Sequence, residues 1–477
     1  MFRAVIAKEL RNHLLSFRFL AVFVLLVVIV PVTVLVLAND HVRDLDDYAR
    51  RRAEIQNYLN RYAHFNRIGN IIAPTQPPVP FQALIRGLSA ETDLNSFDDD
   101  PLPVMFPLLD LTFIAAVLLS LAALVFTYDA VSGEKEDGTL KLMLSNGVSR
   151  SIILLGKVAG GAAALLIPYL VSLAVGMVLL LFNPRVGWSG ADWGALGIIL
   201  LGSVVYIGVF CGLGVFISSR HHSSSASILT CLFVWVLLAL VIPNLSPYLA
   251  SVLRPTPSRI QIGREITRLT DVERDDLGRK LSQERRTAVL AKYPILAGAE
   301  RLSVAEIKAR IEKDADFAKA YAVFRDESAA GWKEANAIQG GKARILREEL
   351  GRKEAAQTRL SISLSMISPL ADLTYLFADL SNTGMRNQAH FRTLAEAWDR
   401  TYGEYESGKI EALRRGNPTM DVWNTPVDVG DMPRFQYQEE TLTSRIRGVL
   451  TPLTVLLIMA VGIFAAAFIS FVRTDPR

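Results

Sequence analysis

The chain has 477 residues, 51% of them hydrophobic and 21% charged. Both can be true of one folded protein only if apolar and polar stretches are segregated, as they are where helices cross a bilayer. Lys and Arg number 51 against 47 Asp and Glu, a formal charge of only +4, and the two signs are interspersed, which excludes a basic nucleic-acid surface.

In chain order, Phe2–Phe17 reads as an amphipathic helix. Phe2, Val5, Ile6, Leu10, Leu14 and Phe17 share one stripe, and Arg3, Lys8, Glu9, Arg11 and Asn12 fall elsewhere. Such a helix lies in a membrane interface with its basic groups toward lipid phosphates, so residues 1–16 form an interfacial element. A span needs roughly 20 apolar residues. The runs that meet this are Phe17–Ala38, Phe106–Thr127, Val158–Phe182, Gly194–Ser218, Ser227–Pro247 and Val449–Val472. The first is longer than a signal-peptide core and is expected to be retained. Cys211 and Cys231 fall inside spans, so no disulfide is expected in a polar domain.

Between the first two spans, 40–68 reads as helix and Pro74, Pro77, Pro78 and Pro80 exclude a helix beyond it. Asp98-Asp99-Asp100-Pro101 reads as an exposed turn. The region 250–446 is long, charged and mainly helical in period. Helices are expected over 258–292, from a capping box at Ser303 and Glu306 toward Ala337 with an interruption at Gly340-Gly341, over 342–358, from Pro369 to Leu380, and over 391–415. Residues 417–434 read as extended loop.

Basic residues near the span ends set orientation. Arg3, Lys8, Arg11 and Arg18; Lys135, Lys141, Arg150 and Lys157; Arg220; and Arg473 and Arg477 all fall on one side of a six-span arrangement. That side is expected to be cytoplasmic, with both termini inside and 250–446 outside. The expected fold class is therefore an all-α membrane protein: six transmembrane helices, an N-terminal interfacial helix and a large, mainly helical extracytoplasmic domain. Its divisions are 1–16, 17–127, the cytoplasmic loop 128–157, 158–249, 250–446, and 447–477 with the last span and tail.

No catalytic, cofactor-binding or metal-ligating set is evident. Gly340-Gly341-Lys342-Ala343 lacks the glycine spacing and the hydroxyl of a phosphate loop, and in Gly156-Lys157 the next residue is Val158. There is no His-Glu-x-x-His, Cys-x-x-Cys or Gly-x-Ser-x-Gly. Few charges lie within the spans, which disfavours a proton relay. Gly156, Gly160 and Gly161, and later Gly208, Gly212 and Gly214, offer small faces for helix packing.

The loop Tyr128–Arg150 is a charged, helix-capable segment between two spans. Its Glu134, Glu136, Gly138, Thr139, Leu140 and Leu144, followed by Ser149-Arg150 and Gly156-Lys157, resemble the corresponding loop of ABC-2-type transporter permeases. Ser145-Asn146-Gly147-Val148 departs from the proline common there. Ile367-Ser368-Pro369 through Gly384 is similar to the subgroup with a large external domain between spans five and six. The resemblance implies a permease without its own ATPase. It also implies that Glu134, Glu136, Gly138, Thr139, Leu140 and Arg150 contact a separate ABC ATPase, present in two copies, and that a second permease copy or homologue completes the complex. The resemblance further implies a cell inner (plasma) membrane location, with lipid around the spans. Two functions are expected in turn: export of a lipid, glycan, peptide or drug, or mechanotransmission of ATP hydrolysis to a periplasmic or surface protein without transport.

Overall fold

The computed structural model describes residues 2–61, 63–87, 109–145, 149–416 and 421–473, and among these every regular element is a helix. Backbone groups in hydrocarbon have no water to bond, so a spanning segment must satisfy them internally, and helices do. Among the described residues six helices are long and apolar enough to cross a membrane: Phe17–Asn60, Leu111–Glu136, Arg150–Leu181, Gly190–Arg220, Ser224–Leu253 and Leu442–Arg473. They correspond one to one with the expected spans. The Asp98–Pro101 turn lies outside the described residues.

Four shorter helices border the spans: α1 (Phe2–Leu14), α2 (Ser132–Glu136), α3 (Thr139–Ser145) and α4 (Pro369–Leu380). The chain forms two compact units, Met1–Asn244 with Ser365–Arg477, and Leu245–Leu364. The range 250–446, expected as one domain, is thus divided. Its last part belongs with the spans, and α4 is the physical reason. Ser368 caps α4, accepting from the Ala371 N–H at 3.4 Å, and donates to the Leu238 carbonyl of span five at 2.5 Å. The α4 side chains Leu373, Leu376, Phe377 and Leu380 are fully buried in the same core as the spans. Leu376 packs on Gly202 of span four, where an added Cβ would meet its Cδ2 at 3.0 Å.

Spans two and five each contain a π-helical turn, at 114–119 and 236–241. The second precedes Pro243, whose ring crowds the preceding turn and whose missing N–H leaves a carbonyl unbonded. Hydroxyls take the carbonyls of these turns. Ser120 Oγ donates to Ala116 O at 2.6 Å, Tyr206 Oη donates to the same oxygen at 2.5 Å, and Ser368 serves Leu238. Trp235 Nε1 donates to Ser120 Oγ at 2.9 Å and joins the two turns.

A second core in the larger unit gathers Leu59, Phe65, Ile68, Tyr402, Val422 and Val429. It ties the segment after span one to the helix Met385–Gly416 and the loop beyond it, and the Val427 N–H donates to Ala63 O at 2.9 Å.

The Leu245–Leu364 unit is helical, with a small core of Val289, Leu296, Phe317, Ala320 and Phe324. The capping box forms as expected: Ser303 and Glu306 exchange bonds of 2.8 and 3.3 Å. The expected interruption at Gly340-Gly341 does not occur, because one helix runs from Ala315 to Ser365. Each internal glycine costs only about 1 kcal/mol against alanine, and the Ala, Arg, Lys, Glu and Leu flanking the pair favour helix enough to offset it.

At the end of spans four and six remote from the 128–157 loop lies a buried ion pair. Arg445 Nη1 is 3.1 Å from Asp192 Oδ1, with side chains 3% and 5% exposed. The carboxylate also accepts from Ser189, through its N–H at 3.0 Å and its hydroxyl at 2.6 Å. The guanidinium reaches Glu439 at 3.3 Å and donates to Glu440 O at 3.2 Å. At the other end Ser219 Oγ and Ser470 Oγ lie 2.7 Å apart, so the two helices are pinned at both ends. We predict that Arg445→Met lowers stability by about 3–5 kcal/mol, because it strands a buried carboxylate. Combining it with Asp192→Asn should restore most of the loss. Thermal unfolding of the three variants in detergent decides this, and a double variant no better than the single one contradicts it.

Candidate functional site: the loop between spans two and three

Two structural elements grip this loop. On one side is the turn between spans four and five. Ser218 Oγ accepts from the backbone N–H of Val131 and of Ser132, both at 2.9 Å, and Ser227 Oγ donates to Tyr128 O at 2.6 Å. Lys135 Nζ donates to the carbonyls of Ser219 at 2.6 Å and His221 at 3.1 Å. On the other side is the N-terminal segment. Arg18 forms an ion pair with Asp129 at 2.9 Å, donates to Tyr128 Oη at 2.8 Å and sits over the Tyr128 ring. His13 packs against Phe126, and burial lowers its pKa below the ordinary imidazole value, favouring the neutral ring.

The six residues singled out in the sequence fall into three groups. Glu134, Leu140 and Arg150 turn inward. Glu134 Oε1 accepts from Lys157 Nζ of span three at 2.8 Å. Leu140 is 3% exposed and packs with Val131, Ile153, Leu154, Val215 and Phe471. Arg150 donates to the carbonyls of Phe471 and Val472, capping the last turn of span six, where a cation suits the helix dipole. Glu136 is exposed but engaged: Oε1 accepts from Ser224 N–H at 3.0 Å and Oε2 from Ser224 Oγ at 2.6 Å, which places an anion at the start of span five.

Gly138 and Thr139 are exposed at the tip. Gly138 has φ +71, with open space where a Cβ would stand. The α2–α3 reversal therefore requires glycine for its backbone, not for room. The Thr139 hydroxyl donates back across the turn to Glu134 O at 3.4 Å.

The same arrangement presents residues that sequence reasoning did not single out. Asp137 and Lys141 are exposed, and the Leu142 side chain is 68% exposed. An apolar residue three positions past Thr139, on the face of α3 opposite Leu140, is the signal that could have found it. The outcome is a short ridge, 136–142, whose root is buried and bonded while its crest carries an acid, a base and an apolar knob. Nothing in this set is suited to bond-breaking chemistry, and among the described residues no cluster of His, Cys, Asp and Glu could hold a metal.

The sequence profile described as "ABC-2 family transporter protein" matches residues 3–476. Among curated proteins, "Probable ABC transporter permease protein NosY" of Pseudomonas aeruginosa is 33% identical over 132 residues, which is 28% of this chain and 48% of that protein. The protein of the same description from Stutzerimonas stutzeri is 33% identical over 134 residues, again 28% and 48%. The chain spans about half the length of the curated relatives it matches.

The left-handed backbone at Gly138 generates a prediction. Gly138→Ala should cost about 1–2 kcal/mol, since a Cβ is strained at that φ whatever the space, and Gly138→Asn should cost less. Both variants should keep the spans folded, with faster amide exchange confined to 134–142. Exchange rates equal to wild type in the alanine variant would show that the turn does not need this conformation.

Proposed function

The chain belongs to the ABC-2 family of transporter proteins, and from that premise we propose that it is a membrane permease subunit that a separate ABC ATPase drives by docking on the 136–142 ridge. The observation that carries this reading is the split character of the loop. It is clamped from two sides by ion pairs and serine hydroxyls, yet it leaves Asp137, Thr139, Lys141 and Leu142 exposed. A surface meant to receive a push needs a stiff root and an exposed crest. Glu134, Glu136, Leu140 and Arg150 then act as the root, and Gly138 sets the crest's direction. Two ATPases and a second permease copy or homologue complete the complex. Their closure would bring paired loops together and move the spans as rigid bodies. Export of a lipid, glycan, peptide or drug is the leading mode.

A second reading has one specific observation in its favour. The Leu245–Leu364 unit has its own core, and a simple exporter does not require it. In both readings residues 250–446 lie outside the inner membrane and both termini are cytoplasmic; in the second, ATP hydrolysis within reshapes that outer region, which acts on a periplasmic or surface protein.

Two measurements test these proposals. Leu142→Asp should weaken binding of the partner ATPase by tenfold or more, about 1.4 kcal/mol or above. It should leave the melting temperature unchanged, because the side chain has little burial to lose. Unaltered affinity in a reconstituted complex rejects the ridge as the docking surface. For orientation, Cys211 and Cys231 are buried, and single cysteines replace the exposed Glu284 and Thr139 in a background lacking both. An impermeant maleimide added to spheroplasts should label position 284 and spare position 139. The reverse pattern overturns the topology.

A further inference from the structure

The N-terminal helix α1 lies directly on span three. Gly156 and Gly160, one helical turn apart, make the approach possible: a Cβ on Gly160 would come within 2.6 Å of Glu9 Cβ, and one on Gly156 would collide with Val5. This contact carries Glu9 to Lys157, the residue next to Gly156 on the same helix. Lys157 Nζ is 3.4 Å from Glu9 Oε1 and 2.8 Å from Glu134 Oε1. The lysine side chain is 2% exposed, and the carboxylates are 11% and 16% exposed. Lys8, 54% exposed, stands 4.0 Å from Glu9 and 3.9 Å from Glu134. Two carboxylates from two different elements, α1 and α2, therefore share one ammonium from a third.

The charge count gives this arrangement its consequence. A buried ammonium needs a counter-ion, and here it has two. Without it, two largely desolvated carboxylates would face each other beside the solvent-exposed Lys8, and like charges in that setting repel. The loop's grip on the span-four turn consists of hydrogen bonds, whereas its buried link to α1 passes through Lys157, beside the more exposed Lys8–Glu134 contact at 3.9 Å.

We propose that Lys157 is a positioning residue for the loop, and that through it α1 and the loop form one mechanical element. Displacement of the ridge then carries α1 with it, and whatever holds α1 also restrains the ridge. The functional weight of this inference rests on the docking reading above; its structural content does not.

The test uses the full chain in lipid nanodiscs, without any ATPase, with amide hydrogen exchange monitored over 3–14 and 132–142. Lys157→Met should accelerate exchange in both segments together, on the order of tenfold or more. Lys157→Arg should stay near wild type. Glu134→Gln should accelerate the loop alone, and Glu9→Gln should accelerate α1 alone. Exchanging the charges in Lys157→Glu with Glu134→Lys keeps two carboxylates and one ammonium in place and should restore protection of the loop. If Lys157→Met does not yield folded chain, the isosteric Glu9→Gln with Glu134→Gln takes its place, with both segments expected to accelerate. Acceleration in only one segment for the variant lacking the shared ion contacts, acceleration spread over all spans, or none, overturns the proposal. Failure of Leu142→Asp to weaken ATPase binding would instead reject the docking reading and leave this result standing.

Discussion

The constraint on which the rest of the structure depends is that polar groups inside the membrane-spanning bundle need partners supplied by the protein. It selects helices for every span. It also dictates the details where a helix departs from regularity. The π turns of spans two and five are tolerable because Ser120, Tyr206 and Ser368 take the carbonyls there. The same rule makes Lys157 and Arg445 informative: each is a buried cation, and each is met by more than one carboxylate. A bundle held together by apolar packing alone would have no need of either.

Much of the fold was legible in the sequence because apolar length is a strong signal. All six spans, the N-terminal helix, the capping box at Ser303 and the helix start at Pro369 could be read directly. What could not be read was where α4 belongs. Its twelve residues are too few to cross a bilayer, and they sit in a charged neighbourhood, so they looked like part of a soluble domain. Only the fold brings Leu376 to Gly202. Gly340-Gly341 misled for the opposite reason: a local cost was weighed without the 51-residue helix that absorbs it.

The loop between spans two and three shows the same division. Gly138 was legible, since glycine at a sharp reversal states its own reason. The roles of Glu134 and Glu136 were not, because their partners lie 23 residues away at Lys157 and 88 residues away at Ser224. Acidic residues in a polar loop between spans read naturally as groups offered to a partner. In the structure they bond within the chain, to Lys157 and Ser224, and the exposed neighbours are Asp137, Lys141 and Leu142.

The pairing of Arg445 with Asp192 also bears on how the molecule is made. Span six is the last of the six to leave the ribosome, and it begins with a guanidinium that the folded protein buries. That group finds its carboxylate on span four, synthesised earlier by a separation of 253 residues. The buried seat of the sixth span's first turn is therefore completed by the fourth span. The pair thus links two distant parts of the chain's membrane region: the guanidinium that opens the sixth span is buried against a carboxylate at the start of the fourth, with Glu439 as its local second partner.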